Sequence, residues 1–509
     1  MNERLAKNSL FSFLTMVAHL LMLSVQYIVV ARYLTVEEFG EYSFIVAFVS
    51  SIMTLAHLGI QPIIVREIAV DRENAGLHFG QGLLIRVMGL TVGSGIVLVS
   101  ALFLDLREQL LIALVIALAA EYLLGLAALG KGFFQAIERM EIETVIMAVY
   151  CLFYLSSIFS VFYWDLGFIA VFVAYFAANL LQTGHAYSLL LKRIKITLRW
   201  REMFSFFQHQ ESIIIGFAIF FRLNLPKVGI LALRWLGEEA DVAFFRAAQS
   251  IMLILEVLPA AFIMAMFPIL SKLAHSGKGD FLGFFEKAFT LFFILSGGLF
   301  VLIVLAPHDI MWILYGDRYA PAAVALLIMS LMVFPIFLNP LLSAGLIVWR
   351  KQHHLIAAAG AAITISIFFY WLLIPDYGFL GAGIASVIGY NAYGLICIWL
   401  LGKLPVGITG RRFYGLAGKP MLAMGVMIGL GWLIEYHWPI LTIPVAIVAV
   451  LGFYGLLFKM RVITLKEIIG FIRRKPLPPG GPPGKGAGPG GGEPPHERAK
   501  PQEGTKLPG

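Results

Sequence analysis

The 509-residue chain is too apolar to be a soluble protein, because 60% of its residues are hydrophobic and only 13% are charged. Its formal net charge of +8 lies mainly in short segments between apolar runs, which indicates anchoring on anionic lipid and argues against a nucleic-acid-binding surface. Apolar runs of about 20 residues, long enough to cross a membrane as helices, recur along the chain and leave no room for a large soluble domain. The sequence therefore predicts an all-α polytopic membrane protein.

The length rule predicts about 14 transmembrane helices. Their centres fall near residues 20, 52, 93, 120, 154, 179, 224, 255, 296, 335, 365, 390, 425 and 448. The first run, Leu10 to Val30, is too long for a signal-peptide core and lacks a small-x-small cleavage site, so we expect it to be retained as the first span. Cys151 and Cys397 both lie inside apolar runs, which argues against a disulfide framework or a thiolate metal site.

The loops between the spans alternate in charge. One set is basic, as at Arg4, Lys7 and Lys192–Arg201, and we call the side of the bundle that carries it the basic side. The other set is acidic, as at Glu37–Glu41 and Glu238–Asp241, and marks the acidic side. Because basic loops are retained in the cytoplasm, we expect a multi-pass protein of the cell membrane, inner or plasma, with both termini cytoplasmic.

Two echoes in the sequence indicate an internal duplication. The segment ARYLTVEEFGEYSF at 31–44 is similar to LRWLGEEADVAFF at 233–245, and both are acidic connections between spans. The segment DLGFIAVFVAYFAAN at 165–179 is similar to DYGFLGAGIASVIGYN at 376–391. Six predicted spans separate the members of each pair, and because that number is even, both halves run in the same direction through the membrane.

The predicted organisation follows from this duplication. Two parallel-repeat six-helix lobes, residues 1–191 and 212–402, are expected to surround a central cavity and to be joined by a basic cytoplasmic linker, 192–211. Two further spans and a basic flank occupy 403–475. Residues 476–509 are rich in proline and glycine and predict a disordered cytoplasmic tail, with an interaction arm as the alternative.

Four segments resemble recurring segments of polysaccharide-biosynthesis membrane proteins: LTVEEFGEYSFIVAF (34–48), HLGIQPIIVREIA (57–69), WILYGDRYAPAAVALLIMSL (312–331) and DYGFLGAGIASVIGY (376–390). Those proteins are the Wzx-type oligosaccharide flippases of the multidrug/oligosaccharidyl-lipid/polysaccharide exporter superfamily, which also holds lipid II flippases and multidrug antiporters. The resemblance covers nearly the whole chain except the tail. It implies a fourteen-helix, two-lobed transporter that moves an isoprenoid-pyrophosphate-linked sugar from the cytoplasmic to the outer leaflet by alternating access.

Alternatives to a flippase for lipid-linked oligosaccharide or polysaccharide units stay open. A multidrug or cation antiporter and a lipid II flippase belong to the same superfamily, although about 14 spans, rather than the usual twelve of the antiporter branch, argue against the antiporter. A polysaccharide polymerase or ligase needs acid and base groups or a sizeable acceptor loop, but the acidic loops have only about ten residues and no zinc spacing appears. We therefore predict a transporter and not an enzyme, with no cofactor and no metal.

The expected partners are the lipid-linked glycan and membrane lipid, and the expected state is a monomer that binds no nucleic acid. The chain has no G-x-x-x-x-G-K-[ST] phosphate loop for ATP, so an ion gradient, the membrane potential or the substrate gradient must drive transport. Sodium or a proton is the candidate coupling ion.

Charged side chains near span centres form the candidate site, because a charge at that depth costs about 3 kcal/mol unless it faces water or a partner. Arg222 and Lys227 in span seven, with Asn224 between them, are predicted to bind the pyrophosphate that the resemblance implies. A pyrophosphate in a membrane needs such cations and hydrogen-bond donors. A structural role for the two cations in buried ion pairs is the alternative.

Further polar residues are predicted to line the cavity or to couple transport to an ion. They are Glu121 in span four, Arg246, Gln249 and Glu256 on one face of span eight, and His19 and Gln26 on one face of span one. Glu256 is expected to neutralise a span-seven cation when the cavity is empty. For His19, Gln26 and Gln249, the alternative is that they form interhelical hydrogen bonds that fix the bundle.

Span seven departs from the pattern that the resemblance implies. We expect Asn-x-Asp there, whereas this chain has Asn224, Leu225 and Pro226. The missing acid puts acid-based cation coupling at that position in doubt. Pro226 is instead predicted to interrupt the helical hydrogen bonds, bend span seven and serve as a hinge.

Overall fold

The computed structural model describes residues 2–56, 59–104, 106–200, 220–221, 223–276, 278–404, 410–437, 442–460 and 462. Helices make up almost all of these residues. In the first half they are α1 (Asn2–Tyr33), α2 (Val36–Ala56), α3 (Ile60–Val70), α4 (Ala75–Ala101), α5 (Glu108–Ala136), α6 (Met140–Tyr163) and α7 (Phe168–Leu191). In the second half they are α8 (Val228–Leu236), α9 (Glu239–Leu255), α10 (Val257–Ser276), α11 (Lys278–Leu305), α12 (Pro307–Tyr315), α13 (Ala322–Met329), α14 (Val333–Val348) and α15 (His353–Gly402). Two C-terminal helices follow, α16 (Gly410–His437) and α17 (Thr442–Lys459). No strand occurs in the ranges just given.

The helices confirm the prediction of an all-α multi-pass membrane protein. Within the described residues, 12 helical segments are long and apolar enough to cross a membrane. One is the 50-residue α15, whose backbone leaves the helical region at Gly378, so that it covers the predicted spans near residues 365 and 390. The predicted span near residue 224 lies partly outside the described residues, and the expected count of 14 is not confirmed.

Each half packs around its own long helices. In the first half, α5 runs along α7, α1 along α6, and α2 against α4 and α5. An apolar cluster that includes Ile64, Phe79, Phe133 and Leu190 fills the basic end of this half. In the second half, α14 packs on α15 and α11, and α16 and α17 cover α11. The lobe boundaries stay a prediction, and the predicted tail and residues 201–211 of the predicted linker lie outside the described residues.

The second helix of each half is interrupted at a corresponding place. α2 ends at Ala56, and α3 begins at Ile60 after Gly59, which has a φ of 62°. α9 and α10 likewise meet at Glu256. Span seven is also broken, because Leu225–Lys227 form a turn before α8. Irregular backbone at membrane depth is tolerated only where it is buried in protein or lines a cavity, so these breaks mark the interior of the transporter-like bundle.

The two motifs that recur in the sequence contact one another within each half. In the first half, the Tyr33 hydroxyl accepts a hydrogen bond from the backbone N–H of Gly167 (2.7 Å). In the second half, the Asp241 carboxylate accepts one from the backbone N–H of Phe379. Gly167 and Gly378 hold the same place in the two Asp-x-Gly-Phe turns, and both have a positive φ, 82° and 52°. Side chains rarely adopt that conformation, so the backbone repeats along with the sequence.

Candidate functional site

Span seven carries the residues that the sequence assigns to substrate binding. Arg222 lies outside the described residues. Asn224 is buried, its side-chain N–H donates to a backbone carbonyl one turn earlier (2.9 Å), and its Oδ1 has no hydrogen-bond partner in the described part of the chain. Pro226 lies in the turn that interrupts the span, as its ring geometry dictates, while a hinge motion there stays a prediction. Lys227 is half-buried at the start of α8.

Lys227 faces an acid of the first half. It interacts electrostatically with Glu121 of α5 and with Arg246 of α9. Glu121 is buried and accepts a hydrogen bond from the Tyr175 hydroxyl of α7 (2.9 Å). Glu256, the acid expected to neutralise a span-seven cation, lies at the break between α9 and α10, and its role stays a prediction. The structure thus gives Lys227 a carboxylate from span four of the opposite half.

Arg246 is held at the interface between the two halves. Its guanidinium lies over the ring of Tyr27 in α1, 3.7 Å from the centroid, and its Nη1 donates to Gln249 Oε1 (2.8 Å). Gln249 Nε2 in turn donates to the carbonyl oxygen of Pro226 (2.6 Å). Arg246 and Gln249 are both buried. These contacts bring two cations, Arg246 and Lys227, to one place in the interface.

The two polar residues of span one lie at different depths. Gln26 Nε2 donates to the Tyr42 hydroxyl, while Gln26 Oε1 is buried and makes no hydrogen bond to any described residue. Gln26 is next to Tyr27 and therefore close to the cations. His19 is half-buried about two turns further toward the basic side, where it interacts electrostatically with Lys131 of α5. The structure therefore separates His19 from the other site residues.

Several tyrosines complete the site and are absent from the sequence-based prediction. Tyr27 packs edge-on against Tyr42, and Tyr154 packs against Tyr175, which binds Glu121. The Tyr154 hydroxyl is buried close to Tyr42. Their position in the sequence could have indicated them. Tyrosine usually anchors at a membrane surface, so a tyrosine in the middle of a span indicates a polar interior. The described ranges hold no group of three or more His, Cys, Asp or Glu that could bind a metal ion.

The two halves close against each other on the acidic side. Gly40 of α2 lies so close to α9 that a Cβ atom there would be 2.4 Å from the carbonyl oxygen of Glu239. Arg107 lies 3.7 Å from Glu41 and 3.6 Å from Glu239, which links charges of both halves. The contact joins the two acidic connections that echo each other in the sequence. We call this contact between residues 37–44 and 234–245 the acidic seam.

A second contact closes the interface beside the acidic seam. Arg32, at the end of α1, donates through Nε to the carbonyl of Leu314 (2.8 Å) and through Nη2 to the carbonyl of Ile313, both at the end of α12. The Tyr319 hydroxyl donates to the carbonyl of Ala31 (3.3 Å). A cation at a helix C-terminus also interacts favourably with the helix dipole. A cleft of about 700 Å³ opens next to Arg32 on the acidic surface, apart from the two interface cations.

An apolar groove of about 440 Å³ lies between α2 and α4, and Phe220 of the second half contributes to its wall. The other lining residues include Ile52, Leu55, Met88 and Val92. Leu55, Met88 and Val92 are exposed on the apolar surface of the bundle. The groove therefore opens toward the hydrocarbon layer at a place where the two halves meet.

Sequence comparison places the chain in a family. Residues 5–274, more than half of the chain, match the family model described as polysaccharide biosynthesis protein. The chain is also 27% identical over 199 residues to an uncharacterized membrane protein of Methanocaldococcus jannaschii. That similarity covers 39% of this chain and 39% of the relative, so the chain matches about two fifths of the relative's length.

Comparison with solved structures shows a shared fold at low sequence identity. The lipid II flippase MurJ in an inward closed conformation has a TM-score of 0.69 at 12% identity, with 89% of this chain and 100% of that chain covered. An inward-facing multidrug resistance MATE family transporter of the MOP superfamily has a TM-score of 0.61 at 12% identity, with 77% of this chain and 94% of that chain covered. A MOP superfamily transporter from Pyrococcus furiosus has a TM-score of 0.57 at 15% identity, with 79% of this chain and 95% of that chain covered. The chain belongs to the polysaccharide biosynthesis protein family and has the fold of the MOP superfamily of transporters.

Proposed function

We propose that the protein is a flippase that moves isoprenoid-pyrophosphate-linked oligosaccharide or polysaccharide units from the cytoplasmic to the outer leaflet by alternating access. The observation that carries the proposal is the pair of cations, Lys227 and Arg246, at the interface between the halves. An unpaired pyrophosphate pays a free energy on the order of tens of kcal/mol to enter hydrocarbon. Cations with hydrogen-bond donors in a protein-lined interior offset much of that cost.

The lipid part of such a substrate can stay in the bilayer. The apolar groove between α2, α4 and Phe220 opens to the hydrocarbon layer beside span seven, the span that carries Lys227. An isoprenoid chain in this groove keeps its apolar surface away from water while the headgroup reaches the cations. The arrangement suits a carrier that must handle both ends of an amphipathic lipid.

The loop charges assign the two sides of the membrane in this proposal. The basic side faces the cytoplasm, both termini lie there, and the acidic seam closes the outer side. A rocking motion of the halves that opens the seam would release the headgroup to the outer leaflet. Pro226, at the break in span seven, is the hinge in this scheme. A monomer in the cell membrane contains every residue that the scheme uses.

A coupling ion, sodium or a proton, would act through Glu121. This buried carboxylate accepts a hydrogen bond from Tyr175 and interacts with Lys227. When a proton or a bound cation neutralises Glu121, Lys227 loses its internal counter-charge and becomes available to an anionic headgroup. Ionisable residues inside membrane proteins commonly serve such relays.

A multidrug or cation antiporter is the alternative within the superfamily. The interface cations argue against it, because a cationic drug would meet Arg246 and Lys227 with like charge. A lipid II flippase uses the same kind of headgroup and differs from the main proposal in the sugar that is carried. The family and its structural neighbours favour transport over polymerisation or ligation of polysaccharide.

Flipping can be measured with the purified protein in vesicles that hold a fluorescent isoprenoid-pyrophosphate saccharide in both leaflets. A membrane-impermeant quencher removes the signal of the accessible leaflet, and flipping appears as loss of the protected fraction. We expect Lys227→Ala and Arg246→Ala each to slow this loss by about tenfold to a hundredfold, as loss of a charged hydrogen bond does. Lys351→Ala removes an exposed cation on the basic side and is the matched control.

Two outcomes would contradict the proposal. Normal flipping by both alanine variants would show that these cations do not bind the headgroup. Failure of the unaltered protein to flip the glycolipid, with export of a cationic drug from the same vesicles, would favour the antiporter. In cells, gene deletion followed by mass spectrometry should show a complete isoprenoid-linked glycan accumulating in the inner leaflet.

A further inference from the structure

Tyr27 connects Arg246 to the opposite half of the protein. Tyr27 belongs to α1 in the first half, and Arg246 belongs to α9 in the second. The guanidinium carbon lies 3.7 Å from the ring centroid, well inside the range of about 6 Å over which an aromatic face attracts a cation. The two residues are only 6% and 7% exposed, so water does little to weaken this attraction. The contact is therefore a buried tie between the halves.

Gln249 fixes the guanidinium from a second direction. Its Oε1 accepts from Arg246 Nη1 (2.8 Å), and its Nε2 donates to the carbonyl of Pro226 (2.6 Å). One amide therefore sets the position of Arg246 relative to the turn that presents Lys227. Tyr27 and Gln249 together hold Arg246 in one orientation.

Arg246 lacks an acidic partner of its own. None of the ion pairs in the described part of the chain includes it, and its Nε is buried without a hydrogen-bond partner there. A guanidinium presents five N–H donors in a planar fork that matches the oxygens of a phosphate. Charge-assisted bonds of this kind are roughly twice as strong as neutral hydrogen bonds. A phosphate that reaches Arg246 would therefore displace the ring and the amide oxygen.

We infer that Tyr27 is a positioning residue that holds Arg246 across the interface and releases it when the diphosphate headgroup binds. Binding of the headgroup then removes a tie between the halves, so that the substrate itself favours their separation. A ligand shifts a conformational equilibrium only through its different affinity for the two states, and exchange of Tyr27 for phosphate supplies that difference. The inference rests on the proposed function for its ligand, but the tie itself can be tested separately.

The first test measures binding of farnesyl diphosphate to the full-length protein in lipid nanodiscs. Because the tie keeps Arg246 in a state that does not bind the headgroup, its loss should tighten binding. We expect Tyr27→Leu to lower the apparent Kd by about 2- to 30-fold, the range that corresponds to a cation–π contact. Tyr27→Phe keeps the ring and should bind as the unaltered protein does. In an Arg246→Ala background, Tyr27→Leu should leave the apparent Kd for farnesyl diphosphate unchanged.

The second test measures the distance between the halves. Spin labels are placed at Trp164 and Trp312, which are exposed on the acidic side of the first and second half, in a protein without Cys151 and Cys397. Farnesyl diphosphate should lengthen or broaden the distance distribution of the unaltered protein. Tyr27→Leu should produce the same change without ligand, and Tyr27→Phe should not.

The outcomes separate the inference from the proposed function. Weaker or unchanged binding by Tyr27→Leu, with an unchanged distance distribution, would overturn the role of Tyr27 and indicate simple packing. If no variant binds farnesyl diphosphate but Tyr27→Leu still separates the halves, the flippase proposal fails and the tie stands. Should Tyr27→Leu not reach the membrane, Tyr27→Met fills the site with a flexible apolar side chain and is judged by the same two measurements.

Discussion

Replacement of Gly40 with alanine should open the acidic seam. A Cβ atom at this position would lie 2.4 Å from the carbonyl oxygen of Glu239, which is a backbone atom and cannot rotate away. Carbon–oxygen contacts are normally about 3.3 Å or longer, so α2 and α9 must separate by roughly 0.9 Å at this point. Overpacking of this kind costs about 1–3 kcal/mol. A cost of that size shifts the equilibrium away from the closed seam by about 5- to 150-fold.

The assay measures chemical access to the seam from the acidic side. In a protein without Cys151 and Cys397, Ser43→Cys places a thiol one turn along α2 from Gly40, at a residue that is only 2% exposed. We expect Gly40→Ala to raise the rate at which a membrane-impermeant maleimide labels this thiol by about 5-fold or more. Gly95→Ala is the control, because its methyl group meets nothing within 4 Å while the gain in helix propensity is the same. Equal labelling rates in the two alanine variants would refute the reasoning that close packing at Gly40 keeps the seam shut.

Four further changes test the acidic seam, the hinge at Pro226, the topology and the tail. Arg107→Ala should raise the same labelling rate by less than about 3-fold, and the difference should vanish in about 0.5 M salt, because the charge is exposed and easily screened. Pro226→Ala should slow flipping but leave headgroup binding intact, since it restores a helical hydrogen bond at the break; normal flipping would remove the hinge role. A topology reporter fused at Gly237 should report the outside and one at Arg201 the cytoplasm, and reversed signals would overturn the parallel duplication. Truncation after Lys475 should leave transport intact, because the proline- and glycine-rich tail has too little apolar surface to fold.

Most of the membrane spans could be predicted because hydropathy reports contact with lipid. Helix breaks inside the spans could not be located in this way. The interruption at Gly59 separates an 11-residue α3 from α2, and the interruption at Glu256 divides span eight. A polar residue or a glycine in an apolar run is compatible with a continuous helix as well as a broken one. The choice depends on neighbouring helices that satisfy the freed backbone groups, and a single run of sequence does not contain them.

The same limit applies to the site: the sequence indicates which polar residues are unusual in a span, but not which residues they contact. Rare charges at membrane depth drew attention to Lys227 and Glu121, and the polar face of span eight drew attention to Arg246; the structure brings these three together. Helical periodicity indicates which residues share a face, but it does not indicate which face of another helix lies opposite. Tyr27 is one tyrosine among apolar neighbours until α9 places Arg246 over its ring. For the same reason, the sequence of span eight suggested Glu256 as the acid opposite Lys227 and did not indicate Glu121 of span four.

The acidic seam is what the predicted parallel direction of the repeat would produce. Two halves that run the same way place corresponding segments on the same side of the membrane, whereas an inverted repeat would place them on opposite sides. Arg32 and Arg234 hold the same place in the two echoes, and both reach the opposite half: Arg32 binds the end of α12, and Arg234 lies over the Phe44 ring, 5.5 Å from its centroid. The two echoes differ at the position where α2 and α9 come closest. Gly40 of the first copy aligns with an aspartate in the second copy, and only the glycine, which has no side chain, permits this close approach of the two helices. Gly40→Ala should therefore weaken the seam through shape and be insensitive to salt, whereas Glu239→Gln should weaken it through charge, because Glu239 pairs with Arg107 and Arg234, and salt should screen that effect.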